Sequence, residues 1–326
     1  MELLNHVRAA ACAAATSIAL SFGTQAQDFP SKPIRIVVPF VPSGNIDITA
    51  RALAPALGAA LRQTIIIDNR PGAAGFIGAA AVAKATPDGY TLLLGSTGTI
   101  TLRPALFKVM PYDPAKDLVP IGAIQEVPLV LAVSPKIPVN NFKEFLAYSK
   151  TKGNPITMAT SGVGSTDHLA LEMLTRLAKI PLTQVPYKGS GGAYADLLGG
   201  QVDALMDQVS ASMEYIRSGR LKAVAVTSLK RSSQLPNVPT LDELGLAGFN
   251  ATTFTGLFAP AGTMPAVMEK LQSALKKALM DESVRERYRT LGVEIMDMSL
   301  AEFTAFLRAD AERWRKVARE ANIVID

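Results

Sequence analysis

One recurring unit restricts the fold more than any other feature. A short β-branched run leads into a polar, glycine-containing turn and then into a stretch with helical spacing. Ile34-Arg35-Ile36-Val37-Val38, bounded by Pro33 and Pro39, reads as a buried strand. The loop Phe40-Val41-Pro42-Ser43-Gly44-Asn45 follows, then a helix pattern over 47–61 with Ile48, Leu53 and Leu57 among its apolar positions. Asn45 or Asp47 is suited to cap it. A strand over 64–67, a glycine-rich turn over 69–75 and a small-residue helix through Lys84 repeat the unit. The turn Thr86-Pro87-Asp88-Gly89 leads into a strand over 90–94 that ends in Gly95-Ser96-Thr97-Gly98. Strands joined by helix-length crossovers predict parallel pairing and an α/β sheet.

The pattern continues with strands over 129–133 and 156–160 and a short helix over 142–150. Strand 156–160 runs into Ser161-Gly162-Val163-Gly164-Ser165-Thr166 and a helix over 167–178. Further strands are expected over 184–186, 204–206, 223–226 and 252–259, with helices over 265–280 and 300–321.

The N-terminus reads as a secretory signal. His6 and Arg8 precede an apolar run of small residues from Ala9 to Phe22, and Thr24-Gln25-Ala26 forms a small-x-small cleavage pattern. The run is shorter than the roughly 20 residues that a membrane span needs. Cleavage near Ala26 and export are therefore expected, with residues 1–26 as the signal peptide. Cys12 is the only cysteine and lies inside this segment. A mature chain without disulfides points to a core large enough to hold without staples. About 300 mature residues is long for one core and suits two lobes.

Charge and residue inventory narrow the chemistry. The net charge is +5, but clusters such as Lys230-Arg231 and Arg313, Arg315, Lys316 sit among acids. They read as solvated faces, and no nucleic-acid partner is expected. His168 is the only histidine beyond the signal. Ser165 and His168 stand three apart at a helix start, yet Gly162-Val163-Gly164-Ser165 is not the Gly-x-Ser-x-Gly elbow of hydrolases. Ser165 more simply caps the helix or meets a ligand, and no catalytic residue is assigned. One histidine and no mature thiol argue against zinc. No calcium loop or phosphate-binding glycine motif is present, so no metal or cofactor is expected.

Two polar loops remain, Pro42-Ser43-Gly44-Asn45 and Ser161 to Thr166. In open parallel sheets, ligands bind outside the carboxyl ends of the strands. Helix N-termini there present unpaired amides and partial positive charge, and glycines let a ligand approach the main chain. Such loops can hold a carboxylate without an arginine. The same chemistry also suits two ordinary tight turns.

These residues resemble the Bug-type receptors, the substrate-binding proteins of tripartite tricarboxylate transporters. The resemblance begins with Pro39-Phe40-Val41-Pro42-Ser43-Gly44-Asn45-Ile46-Asp47 and Asn69-Arg70-Pro71-Gly72-Ala73-Ala74-Gly75. It continues through Pro87-Asp88-Gly89-Tyr90, Ser161-Gly162-Val163-Gly164-Ser165 with His168, Pro186-Tyr187-Lys188-Gly189 and Leu198-Gly199-Gly200-Gln201. Asn237-Val238-Pro239-Thr240 and Phe258-Ala259-Pro260-Ala261-Gly262 complete the series. Each motif alone is weak; their order along the whole mature chain carries the likeness.

The resemblance implies a periplasmic binding protein type II fold: two lobes joined by two crossover segments, with a ligand cleft between them. Lobe one is placed at 28–127 plus 253–326 and lobe two at 128–252. A carboxylate is expected to be held mainly by backbone groups and waters at Pro42, Ser43, Gly44 and Asn45, with Asp47 at the helix start. The opposing loop contributes Ser161, Gly162, Gly164, Ser165 and Thr166, and Ser96, Thr97, His168 and Asp207 are further candidate walls. The implied function is a monomeric receptor that carries a mono- or dicarboxylate, or an aromatic acid, to integral membrane permease subunits. A ligand-binding accessory to a signalling system and a hydrolase on the same scaffold are the alternatives. Two departures stand out. Ser43-Gly44-Asn45-Ile46 replaces a Gly-Gly loop, so the Asn45 amide can stand in for a bridging water. Thr253-Phe254 stands where a tryptophan is common, and Phe254 suits a cleft wall or core, core being the commoner role.

Overall fold

The computed structural model describes residues 29–325 apart from Ser43 and Lys188; the expected signal peptide lies outside the described residues. The first stretch builds β1 (Ile34–Val38), α1 (Asn45–Leu61), β2 (Ile65–Asn69), α2 (Phe76–Ala83) and β3 (Thr91–Ser96). A π-helical turn at Gly98–Leu102 leads into the short helices α3 (Arg103–Leu106) and α4 (Pro114–Asp117). A long strand β4 (Leu118–Val133) then enters α5 (Phe142–Thr151), β5 (Ile156–Thr160), α6 (Thr166–Ala178) and β6 (Leu182–Pro186). Next come α7 (Ser190–Gly199), β7 (Ala204–Gln208), α8 (Val209–Arg217) and β8 (Lys222–Val226). The chain returns through β9 (Thr252–Pro260) and ends in α9 (Pro265–Met280), α10 (Glu282–Thr290), β10 (Glu294–Ile295) and α11 (Leu300–Glu320).

Residue spacing explains the layering. In α1 the buried residues Ala50, Leu53, Leu57 and Leu61 recur at three and four positions, so one stripe faces the sheet. Each fully buried leucine there contributes about 1.5–3 kcal/mol. The strands follow the order β2-β1-β3-β9-β4-β7-β5-β6, with β8 and β10 added to β4. Parallel pairing holds where helices make the crossovers: β1 with β2 and β3, and β5 with β6 and β7. It does not hold throughout. β9 runs antiparallel to β3 and β4, and β4 antiparallel to β7 and β8. These two strands carry the chain between the halves without a helical return, so nothing forces them parallel.

β4 is the shared element of a two-lobed molecule. Leu118 to Pro128 pair with β9, while Leu129 to Val133 pair with β7, so the strand changes partner at Pro128–Leu129. Only its second half, 129–133, was expected. Pro120, Gly122 and Pro128 break the strand signal of the first half. The ladder absorbs the early breaks as register shifts near Pro120–Gly122 and Ala123–Gln125.

The two crossing segments are stapled by the fully buried Thr227. Its Oγ1 accepts from the Leu129 amide at 2.9 Å and donates to the Ala251 carbonyl at 2.6 Å. Thr227→Val keeps the shape and strands both groups. We expect a loss of about 1–3 kcal/mol, read as a lower midpoint in denaturant with an unchanged slope. A midpoint equal to wild type would remove the staple.

The hydrophobic interior divides between the halves. One cluster joins β1, β3 and β9 to α1 and α9, and another fills the lobe of β5 to β8. α11 crosses between them. Phe303 packs with Phe254 and Phe258 in the first lobe. Trp314, Val317 and Ala318 are buried with Leu129, Leu131, Leu169 and Leu174 in the second. The final helix, which the sequence reading gives wholly to lobe one, thus supplies core to both. Arg176 on α6 and Glu320 on α11 add an ion pair at 2.8 Å.

Candidate functional site

A cavity of about 260 Å³ opens at the junction of the lobes. Four strands end at it. β1 and β3 deliver Phe40, Asn45, Ser96 and Thr97 from one lobe, and β5 and β7 deliver Ser161, Asp207 and Gln208 from the other. The crossing strands β4 and β9 add Gln125, Leu129, Thr253, Phe254 and Thr255.

Two helices point their N-termini at this space. Asn45 and Ile46 open α1, and Thr166 and Asp167 open α6; all four line the cavity. Gly44 begins α1 in extended conformation without any side-chain cap. Ser165 caps α6 by accepting from the His168 amide, which leaves the earlier first-turn amides uncapped. Helices of 17 and 13 residues bring the partial positive charge of their first turns to one place. Uncapped amides and converging dipoles make a site for an anion.

Of the residues the sequence singles out, Asn45, Ser96, Thr97, Ser161, Ser165, Thr166 and Asp207 line the cavity. Ser43 lies outside the described residues. Pro42, Gly44, Asp47, Gly162, Gly164 and His168 do not line it, each for a visible reason. Pro42 is exposed on the turn. The Gly44 carbonyl accepts the Ile48 amide. Asp47 is buried, and its carboxylate accepts from Arg51 Nε at 2.9 Å and from Asn69 Nδ2 at 2.9 Å. Asn69 also donates to the Phe40 carbonyl, so Asp47 braces the first loop from behind. Gly162 and Gly164 sit at φ of 137° and 76°, where a side chain is disfavoured, and they shape the second loop. His168 Nδ1 accepts the Gly164 amide at 3.1 Å, and burial lowers its pKa. It supports the loop as a neutral ring.

Asn45 acts across the gap. Its Nδ2 donates to Gln208 Oε1 at 3.0 Å, and Gln208 Nε2 donates to Thr253 Oγ1 at 3.1 Å. The side chain expected to replace a water instead links the two halves directly. Phe254 fills both roles left open for it: it lines the cavity and stacks edge-on against Phe306 at 5.4 Å. Thr97 Oγ1 accepts the Phe254 amide at 2.8 Å, fixing that strand.

Two acids face the cavity. The Asp167 carboxylate is occupied by the Ser161 amide and hydroxyl. Asp207 Oδ1 accepts the Gln208 amide at 2.8 Å, while its buried Oδ2 has no partner. Burial, then the Asp167 charge, push the Asp207 carboxyl up to about 6. Arg103, Gln125, Gln208, Thr253 and Thr255 were missed by sequence reasoning. Arg103 alone left a signal, as a single charge inside the apolar run Ile100 to Phe107. The others depend on how β4, β7 and β9 pair, which residue spacing does not carry.

The tripartite tricarboxylate transporter family receptor profile matches residues 49–323. The chain belongs to this family. Among solved structures, the receptor is 37% identical to the periplasmic binding protein BugD, over 91% of this chain and 99% of that one, with a TM-score of 0.76. Rpa4515 from R. palustris, solved with adipate, is 33% identical with a TM-score of 0.80, over 91% of this chain and 99% of that one. MatC from Rhodopseudomonas palustris, solved with malate, is 34% identical with a TM-score of 0.75, over 89% and 99%. Among the described residues of the receptor, no helix is long and apolar enough to cross a membrane.

Proposed function

We propose that this receptor is an exported, non-catalytic protein of the periplasm that closes on a small carboxylate and delivers it to membrane permease subunits. The observation that carries this reading is the convergence of the α1 and α6 N-termini, one from each lobe, on a single cavity. The neighbours solved with adipate and malate support the same ligand chemistry. The ligand-contacting set consists of Asn45, Ser96, Thr97, Ser161, Ser165, Thr166 and Asp207, with Gln208 and Arg103 added. The other first-loop and second-loop residues hold the loops in shape. The lobes divide at 127–128 and 252–253, with the far end of α11 counted to lobe two. The partner change at Pro128–Leu129 and the start of β9 at Thr252 support those crossing points.

Thermal-shift measurements across a panel of carboxylates test the proposal. A ligand present at a hundred times its Kd is expected to add about 2.7 kcal/mol of stability. A broad panel of mono- and dicarboxylates that leaves the transition unmoved would overturn the carboxylate assignment.

A further inference from the structure

Arg103 lines the cavity, and a single bound carboxylate gives it no necessary role. Its guanidinium lies against Gly98, where an added Cβ would stand 2.6 Å from Nη1. The missing side chain at 98 therefore opens the space that the cation occupies. Among the described residues, no carboxylate or other acceptor is within bonding distance of it. The titratable group that acts on it is the Tyr112 phenol, whose hydroxyl is already donated to the Thr99 carbonyl at 2.6 Å. The cation–ring contacts of the described chain belong to Lys32, Arg220 and Arg313, so no aromatic face holds it either. The cavity acids do not serve it: Asp167 is engaged by Ser161, and Asp207 binds the Gln208 amide. A half-buried cation without a counter-charge is costly, and a guanidinium is shaped to take a carboxylate with two parallel bonds.

We propose that Arg103 takes the second carboxylate of a dicarboxylate ligand whose first carboxylate sits at the N-termini of α1 and α6. This rests on the carboxylate reading above and sharpens it from any small acid to a diacid. The cavity of about 260 Å³, at about 30 Å³ per water, has the room of roughly nine waters. That is room enough for a short diacid.

Calorimetry on the full mature protein tests the assignment with succinate, adipate and their monoamides, which keep the length and lose the second charge. Wild type is expected to bind one diacid at least about 30-fold more tightly than its monoamide. Arg103→Gln levels the two, and Arg103→Lys restores part of the preference as a point charge. The wild-type comparison needs no variant, so a folding defect cannot mask the answer. Equal binding of diacid and monoamide by wild type, or an undiminished preference in R103Q, overturns the role of Arg103 and leaves the receptor reading intact. Failure of every acid to bind removes the receptor reading itself, and this assignment with it.

Discussion

Asp310→Ala is expected to destabilise the receptor by about 3–5 kcal/mol, the usual effect of leaving a buried charge without its partner. Asp310 sits in the middle of α11, 1% exposed. It accepts from Thr101 Oγ1 at 2.5 Å, from Trp314 Nε1 at 3.1 Å, and from the Arg313 guanidinium. Burial raises its pKa, and the charge of Arg313 and the bonds from Thr101 and Trp314 work against that rise. Alanine would strand all three donors at once, and Arg313 Nε already lacks a partner. Asp310→Asn keeps an acceptor for Thr101 and Trp314 and loses only the ion pair, so a smaller loss of about 1–3 kcal/mol is expected. Chemical denaturation of both variants measures this. If both stay within about 0.5 kcal/mol of wild type, the network does not hold the helix.

The second large effect concerns pH. Asp207 lines the cavity, its buried Oδ2 lacks a hydrogen-bond partner, and its carboxyl is raised from 3.8 to about 6. Above pH 6 it is ionised and repels an incoming carboxylate; below, its proton can be donated to the ligand. Burial is the largest cause of the rise and the Asp167 charge adds to it, while the Ser190 hydroxyl, the Gln208 amide and the Tyr194 hydroxyl oppose it. Affinity is therefore expected to rise as pH falls, by up to about tenfold per unit between pH 7.5 and 6. Asp207→Asn should flatten that profile and bind at pH 7.5 as tightly as wild type does near 6. Calorimetry in buffers of differing ionisation enthalpy should show uptake of about one proton per ligand at pH 7. A flat wild-type profile would exclude Asp207 from contact. Stability follows the same sign. Because the folded pKa is raised, Asp207 adds stability as pH falls from about 6 towards 3.8. His168, whose folded pKa is lowered, removes it as pH falls below about 6.5.

Much of the architecture was legible where local chemistry decides it. The β-branched run at 34–38 and the turn at 161–166 each stand between predicted elements, and both found their places. The first half of β4 was hidden because Pro120 and Pro128 mark an irregular strand as a loop. Antiparallel pairing at β9 follows from the route between lobes, which no local pattern records. At the site, Asn45 and Thr166 could be named because they begin helices. Gln125 and Thr255 could not, since they meet only after strands far apart in the chain align.

α11 also constrains the order in which the molecule can assemble. Trp314, Val317 and Ala318 complete an interior otherwise drawn from residues between Leu102 and Ala251. A chain emerging from its N-terminus has every strand of that lobe in hand long before those three side chains arrive. Until they do, apolar surface on β4 and α6 stays uncovered, and the lobe remains short of its native packing. Nearly the whole polypeptide must therefore be free before the core of that lobe is complete.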